Sequence, residues 1–193
     1  MKKLMLLCVA MVCCMCSFAQ AWDNSKPDRS VTFGVKAGLN MHKLNGNHGY
    51  SDGLNSFHAG VNLDYNISKS FALETGVFLT DKGYRFESDD DDSHHRIFVQ
   101  IPILARFKFY VNEDFNIQLR AGGFGAPRIG GNGKYRWGDD FAYKDIDAGL
   151  IGGLGISYKN FYLGAQFEYG LMEILKGMGA HTANIAISLG YDF

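Results

Sequence analysis

The sequence predicts an all-β fold: a single antiparallel up-and-down transmembrane β-barrel of about eight strands. Three observations point to it. Apolar residues alternate with polar or small ones in segments of about 9–11 residues, the length a tilted strand needs to cross a bilayer. The connections between those segments alternate between short and long. Aromatic residues gather beside the short connections.

The first strand is predicted over residues 31–41. Val31, Phe33, Val35, Ala37, Leu39 and Met41 share one face, and Thr32, Gly34, Lys36, Gly38 and Asn40 share the other. The second, over 55–66, sets Phe57, Ala59, Val61, Leu63 and Tyr65 against His58, Gly60, Asn62 and Asp64. Further strands are expected over 71–80, 96–109, 115–126, 145–158, 161–171 and 182–193. In the last, Ala183, Ile185, Ile187, Leu189, Tyr191 and Phe193 alternate with Asn184, Ala186, Ser188, Gly190 and Asp192. A helix would scatter both sets around its surface. One oily face and one polar, small face suit lipid outside and a narrow lumen inside.

The short connections are residues 67–70, 110–114 and 159–160; the long ones are 42–54, 81–95, 127–144 and 172–181. Bacterial barrels have short periplasmic turns and longer outer loops, so both chain ends fall on the periplasmic side. Phe33, Tyr65, Phe71, Phe109, Phe115, Tyr158, Phe161, Tyr191 and Phe193 all lie near that side. They form the interfacial girdle a membrane barrel needs, whereas a soluble barrel of lipocalin type would more often turn its aromatics inward.

With 193 residues the chain has room for one domain, and a net charge of −1 favours no nucleic-acid partner. Its 24 glycines and three prolines suit twisted strands and tight turns better than a helical bundle. A mean hydropathy of −0.10 does not exclude a membrane, because alternation hides the lipid face from any average. Lys2 and Lys3, an apolar run over 4–16 and Ser17-Phe18-Ala19 have the form of an export signal occupying residues 1–19, cleaved after Ala19. A short segment, 20–30, then leads into a barrel domain at 31–193. The alternatives are a buried N-terminal helix or a lipid anchor, but the cysteines lack the small residues that precede a lipidated one. Cys8, Cys13, Cys14 and Cys16 all lie within the signal, so the mature chain has no disulfide, cysteine metal site or catalytic thiol.

The segment Ile97-Phe98-Val99-Gln100-Ile101-Pro102-Ile103-Leu104-Ala105-Arg106 resembles the I-P-L-L-containing strand of the PorT-like outer-membrane β-barrel family. Phe33 to Asn40 resembles that family's opening strand, and Asp147 to Gly155 its glycine-rich sixth. Phe167-Glu168-Tyr169-Gly170-Leu171 and the terminal Tyr191-Asp192-Phe193 agree as well. The resemblance covers roughly residues 30–193 and implies a Gram-negative cell-envelope barrel. The family includes a secretion-associated member, but the resemblance does not carry that role to this chain.

Candidate chemistry falls into three groups. Asp89 to Asp92 with His94 and His95 offers calcium or zinc ligands, but without the spacing and central glycine of an EF-hand it reads as a solvated outer loop. Lys36, Asp64, Glu74, Arg106, Lys108, Arg120 and Glu168 face the lumen and suit a structural ion-pair network. Within it Glu74, three residues after its strand's start, and Arg106, three before the next strand's end, lie at similar depth and are expected to pair. Glu74 and Glu168 are the conceivable catalytic carboxylates; His58 is the sole histidine within the predicted strands, with no triad partner beside it in sequence. The glycine-rich stretch 127–135 lacks the strand-to-helix context of a phosphate loop.

The expected function is therefore that of a non-enzymatic structural or interaction barrel. It would contact outer-membrane lipid, engage the insertion machinery through Tyr191 and Phe193 during assembly, and meet envelope or surface partners through loops 82–95 and 127–144. No cofactor is implied. A narrow transport or ligand-binding barrel and a lipid-modifying enzyme are the competing readings.

Overall fold

The computed structural model describes residues 25–45, 54–82, 96–131, 146–172 and 181–193. Eight strands run in chain order: β1 (Val31–Asn45), β2 (Leu54–Asn66), β3 (Phe71–Asp81), β4 (Arg96–Tyr110), β5 (Phe115–Gly131), β6 (Ile146–Tyr158), β7 (Phe161–Gly170) and β8 (His181–Asp192). Every neighbour pairs antiparallel, and β8 returns to β1 to close the barrel. Closure leaves no sheet edge with unpaired backbone groups, which is what allows strands to cross a bilayer.

The alternation seen in the sequence sets the inside and the outside. Phe33, Leu39, Phe57, Ile103, Leu154 and Leu189 are each more than half exposed, while Lys36, Asn40, Asp64, Glu74, Arg106 and Arg120 are buried. Exposed apolar and buried charged residues invert the pattern of a soluble protein, as a lipid surround requires.

Several strands reach further at the long-loop end than predicted. β1 continues to Asn45, and β5 runs through Gly131, taking in the first part of the expected loop 127–144. Pro127 and the adjacent glycines carry turn chemistry, but cross-strand pairing decides: Pro127 lies opposite Ile146, and Arg128 opposite Phe98. A register shift between Ile97 and Phe98 accommodates Ile129 as a bulge. The longer strands also take in His42 and His181, so His58 is not the sole strand histidine.

The short turns close locally. Asn112 Oδ1 accepts from the backbone N–H groups of Asp114 (3.0 Å) and Phe115 (2.8 Å), an Asx turn. In the two-residue hairpin between β6 and β7, Lys159 adopts φ 53°, the left-handed region that such a turn demands. The 25–30 segment is tied to the β2–β3 turn: Asn66 N–H donates to Ser30 O at 2.8 Å, and Lys69 N–H to Ser25 O at 3.1 Å. Beside the turns, Phe161, Tyr191 and Phe193 form an edge-to-face chain with successive centroids 5.2 Å apart. The expected signal 1–19 and most of both proposed contact loops, with the acidic cluster 89–95, lie outside the described residues.

Candidate functional site

The lumen is where this sequence concentrates its charge, and the strand register explains why that charge must be shared. Asp64 on β2 sits directly opposite Glu74 on β3, and Arg106 on β4 directly opposite Arg120 on β5. Each pair alone would repel. Side by side inside the barrel, the two pairs neutralise each other. Arg106 Nη2 lies 2.7 Å from Asp64 Oδ2, and its Nη1 lies 3.5 Å from Glu74 Oε2. Arg120 Nη1 donates to Glu74 Oε1 at 3.2 Å, and Lys36 Nζ donates to that same oxygen from β1. Asp192, 3.7 Å from Arg106, joins from β8.

Glu74 and Arg106 are therefore in contact, but diagonally. Arg106 lies opposite Ala72, two residues along β3 from Glu74, and each of the two has a closer partner. Tyr162 completes the layer. Its buried ring has the Lys36 ammonium 4.9 Å from its centroid and the Arg120 guanidinium 4.7 Å away. No expectation from sequence included it.

Glu168 belongs to a second cluster built from amides. Its Oε1 accepts from Gln100 (2.9 Å) and Gln166 (2.8 Å), and its Oε2 from Asn184 (3.2 Å). Gln166 Oε1 in turn lies 3.4 Å from Arg120 Nη2, joining this cluster to the charged layer. His58 stands between Asn40 Oδ1 and Ser188 Oγ, at 2.8 Å from each. Strand closure thus brings together a serine, a histidine and an amide that sequence spacing could not place side by side. The arrangement has triad-like order, yet the cavity beside it measures about 20 Å³, enough for about one water and not for an acyl or glycosyl substrate.

Towards the long loops the lumen turns apolar, contrary to the expectation of a polar inner face throughout. Phe98, Leu104, Phe124, Ala126 and Ile151 pack together as a plug. Over it, Lys82 Nζ contacts Asp147 Oδ2 at 2.7 Å and sits 4.5 Å from the Phe124 ring centroid. At the opposite end Lys108 Nζ donates to Asn66 Oδ1 at 2.8 Å, and Gln118 Nε2 to Ser157 Oγ at 2.7 Å. Among the described residues no cluster of three or more His, Cys, Asp or Glu is placed to hold a metal ion.

A closed eight-stranded barrel with a lipid-facing apolar exterior, an aromatic girdle and a filled interior is an integral β-barrel of the outer-membrane type. The comparison with protein families agrees: residues 18–176 match the outer membrane protein beta-barrel domain, and the chain belongs to that family. It is a bacterial outer-membrane β-barrel protein. No curated protein matches the chain. Among solved structures, Neisserial surface protein A (NspA) superposes with a TM-score of 0.53 at 17% identity, over 86% of this chain and 100% of that one. The outer membrane protein OprG from Pseudomonas aeruginosa superposes with a TM-score of 0.52 at 12% identity, over 89% and 99% of the two chains. At such identities the likeness is one of fold.

Proposed function

We propose that this chain is a non-enzymatic structural or interaction barrel, whose fold presents the outer connections within 82–95 and 132–144 to envelope or surface partners. The observation that carries the reading is the filled lumen. The ionic layer, the amide cluster and the apolar plug adjoin one another in the interior, with Leu104 and Ile151 lining the same small gap as Glu74 and Glu168. Among the described residues they leave only a gap of about 20 Å³ at mid-lumen, which disfavours passage of a solute and is the usual state of a barrel this narrow. Catalysis is disfavoured by the same geometry. Glu74 is held by three cations, and the histidine site has room for about one water.

On this reading residues 1–19 are removed on export, and the mature chain starts near Gln20. The insertion machinery reads Tyr191 and Phe193 at the end of the closing strand. Kinship to PorT-like barrels in particular is supported by the Pro102 strand and the glycine-rich β6. Planar-bilayer recordings of the purified barrel test the central claim. They should show no steady open channel; a large, stable conductance would replace this reading with a transport one.

A further inference from the structure

At the short-turn end the lumen opens into a cavity of about 750 Å³ that the ionic layer leaves unfilled. Small-molecule sites fall in the range of roughly 300–1,000 Å³. The 25–30 segment and the tight turns form its rim, and Arg106, Lys108 and Gln118 lie at its inner end.

This inner end differs from the layer above it in having charge left over. Lys36, Arg106 and Arg120 each have a carboxylate oxygen within hydrogen-bonding distance. Lys108 is 9% exposed and forms no ion pair among the described residues; its ammonium donates only to the neutral Asn66 amide oxygen. Arg106 Nε and Gln118 Oε1, both buried, also lack hydrogen-bond partners among the described residues.

The carboxylates of the lining do not make up the difference. Asp192 is shared between Arg106 and Asn62, while Asp28 and Glu113 lie exposed on the rim. Of the cations that line the cavity, Arg106 is held by Asp64, and Arg29, Lys69 and Lys159 stand on the rim with the exposed acids. That leaves Lys108 as the buried cation without a carboxylate partner among the described residues. A buried charge without a counter-charge is costly, and an incoming anion relieves that cost.

We propose that this vestibule binds a small oxyanion, a carboxylate or phosphate group entering from the periplasmic side, with Lys108 as its charge partner. The unpaired Arg106 N–H supplies a second donor, and Gln118 Oε1 accepts from a hydroxyl of the same ligand. The site lies at the opposite end of the barrel from the outer loops, so it stands or falls independently of the role proposed for them.

The test uses the refolded barrel in zwitterionic micelles, with amide resonances of Lys108 and Gln118 followed by NMR. Inorganic phosphate and acetate are titrated at constant ionic strength in one arm; in the other, a phosphate-monoester lipid is doped into the micelles. Saturable shifts at both residues are expected, with affinity weakened at least about tenfold in Lys108→Gln, retained in Lys108→Arg, and changed less than about threefold in the rim variant Lys159→Gln. Response to free anions identifies a soluble ligand, and response to the lipid alone identifies a headgroup. If Lys108→Gln does not fold, the residue-specific shifts in the parent and in Lys108→Arg decide. Absence of saturable shifts at Lys108 in both arms, or equal affinity in folded Lys108→Gln and parent, would overturn the proposal.

Discussion

Removing the Glu74 carboxylate is the most informative single perturbation of the lumen. Glu74 is 2% exposed and faces three buried cations, Lys36, Arg106 and Arg120. Deleting one partner of a buried ionic contact costs about 3–5 kcal/mol, because the remaining charge is stranded. Glu74→Ala should therefore destabilise the barrel by about that amount, and Arg106→Ala should do the same by stranding Asp64. The geometry further ranks the couplings. Arg106 is 2.7 Å from Asp64 but 3.5 Å from Glu74, which Lys36 and Arg120 also hold. Both double mutants should lose less than the sum of their single losses. The Asp64/Arg106 coupling should reach about 2–3 kcal/mol, and the Glu74/Arg106 coupling should stay nearer 0.5–1 kcal/mol, within the range of interacting neighbours. Urea unfolding in lipid vesicles, read as heat-modifiable mobility on gels, gives the four stabilities of each cycle. Strict additivity in the Asp64/Arg106 cycle, or a Glu74→Ala loss below about 1 kcal/mol, would refute the shared-charge account.

Three other outcomes can be measured with the same material. Deleting Phe193 should lower the folded, heat-modifiable fraction without abolishing export, since its N–H donates to Phe33 O at 2.7 Å across the closing seam and its ring packs on Tyr191; equal folding yields would remove support for an assembly role. Gly164→Ala should cost about 1–3 kcal/mol in the urea assay, because the added methyl overlaps the Tyr162 hydroxyl and ring, and a neutral result would mean that Tyr162 is not fixed in that position. Mass measurement of the protein from outer-membrane fractions should give a chain beginning near Gln20, and recovery with Met1 intact would exclude the proposed processing.

The barrel was legible because its strongest physical constraint repeats along the whole chain. Where one face is oily and the other polar, as in β1, β2 and β8, strand position and orientation follow from parity alone. β4 is harder to read. Phe98, Pro102 and Leu104 face inward while Ile97, Ile101 and Ile103 face lipid, so both faces carry apolar residues and alternation loses its meaning. The plug they help to form was missed for that reason. Strand ends at the long loops were missed for another: Pro127–Gly131 has the composition of a turn, and only pairing with neighbours holds it in the ladder. Of the lumen charges, identity was legible and partnership was not. Depth along neighbouring strands suggested Glu74 with Arg106, but the diagonal offset and the links across the lumen from β1 and β5 depend on closure, which no local pattern encodes.

Tyr162 shows how closure assigns work to residues that look ordinary in a linear reading. It is the one aromatic side chain on the inner face of β7, and its neighbours along that face, Gly164 and the backbone opposite at Gly155, have no side chains to contest the space. A bulky ring beside glycines fills a narrow lumen without overpacking it. Lys36 and Arg120, like charges that share the Glu74 Oε1 acceptor and repel each other, both lie within 5 Å of the ring's centroid, at 4.9 and 4.7 Å. Its π face offsets part of that repulsion while occupying volume that water would fill. The glycines of β6 and β7 are thus as much a part of the ionic layer as the charges themselves. They set where the ring can stand, the ring offers its π face to both cations, and the carboxylate of Glu74 is the acceptor the two share.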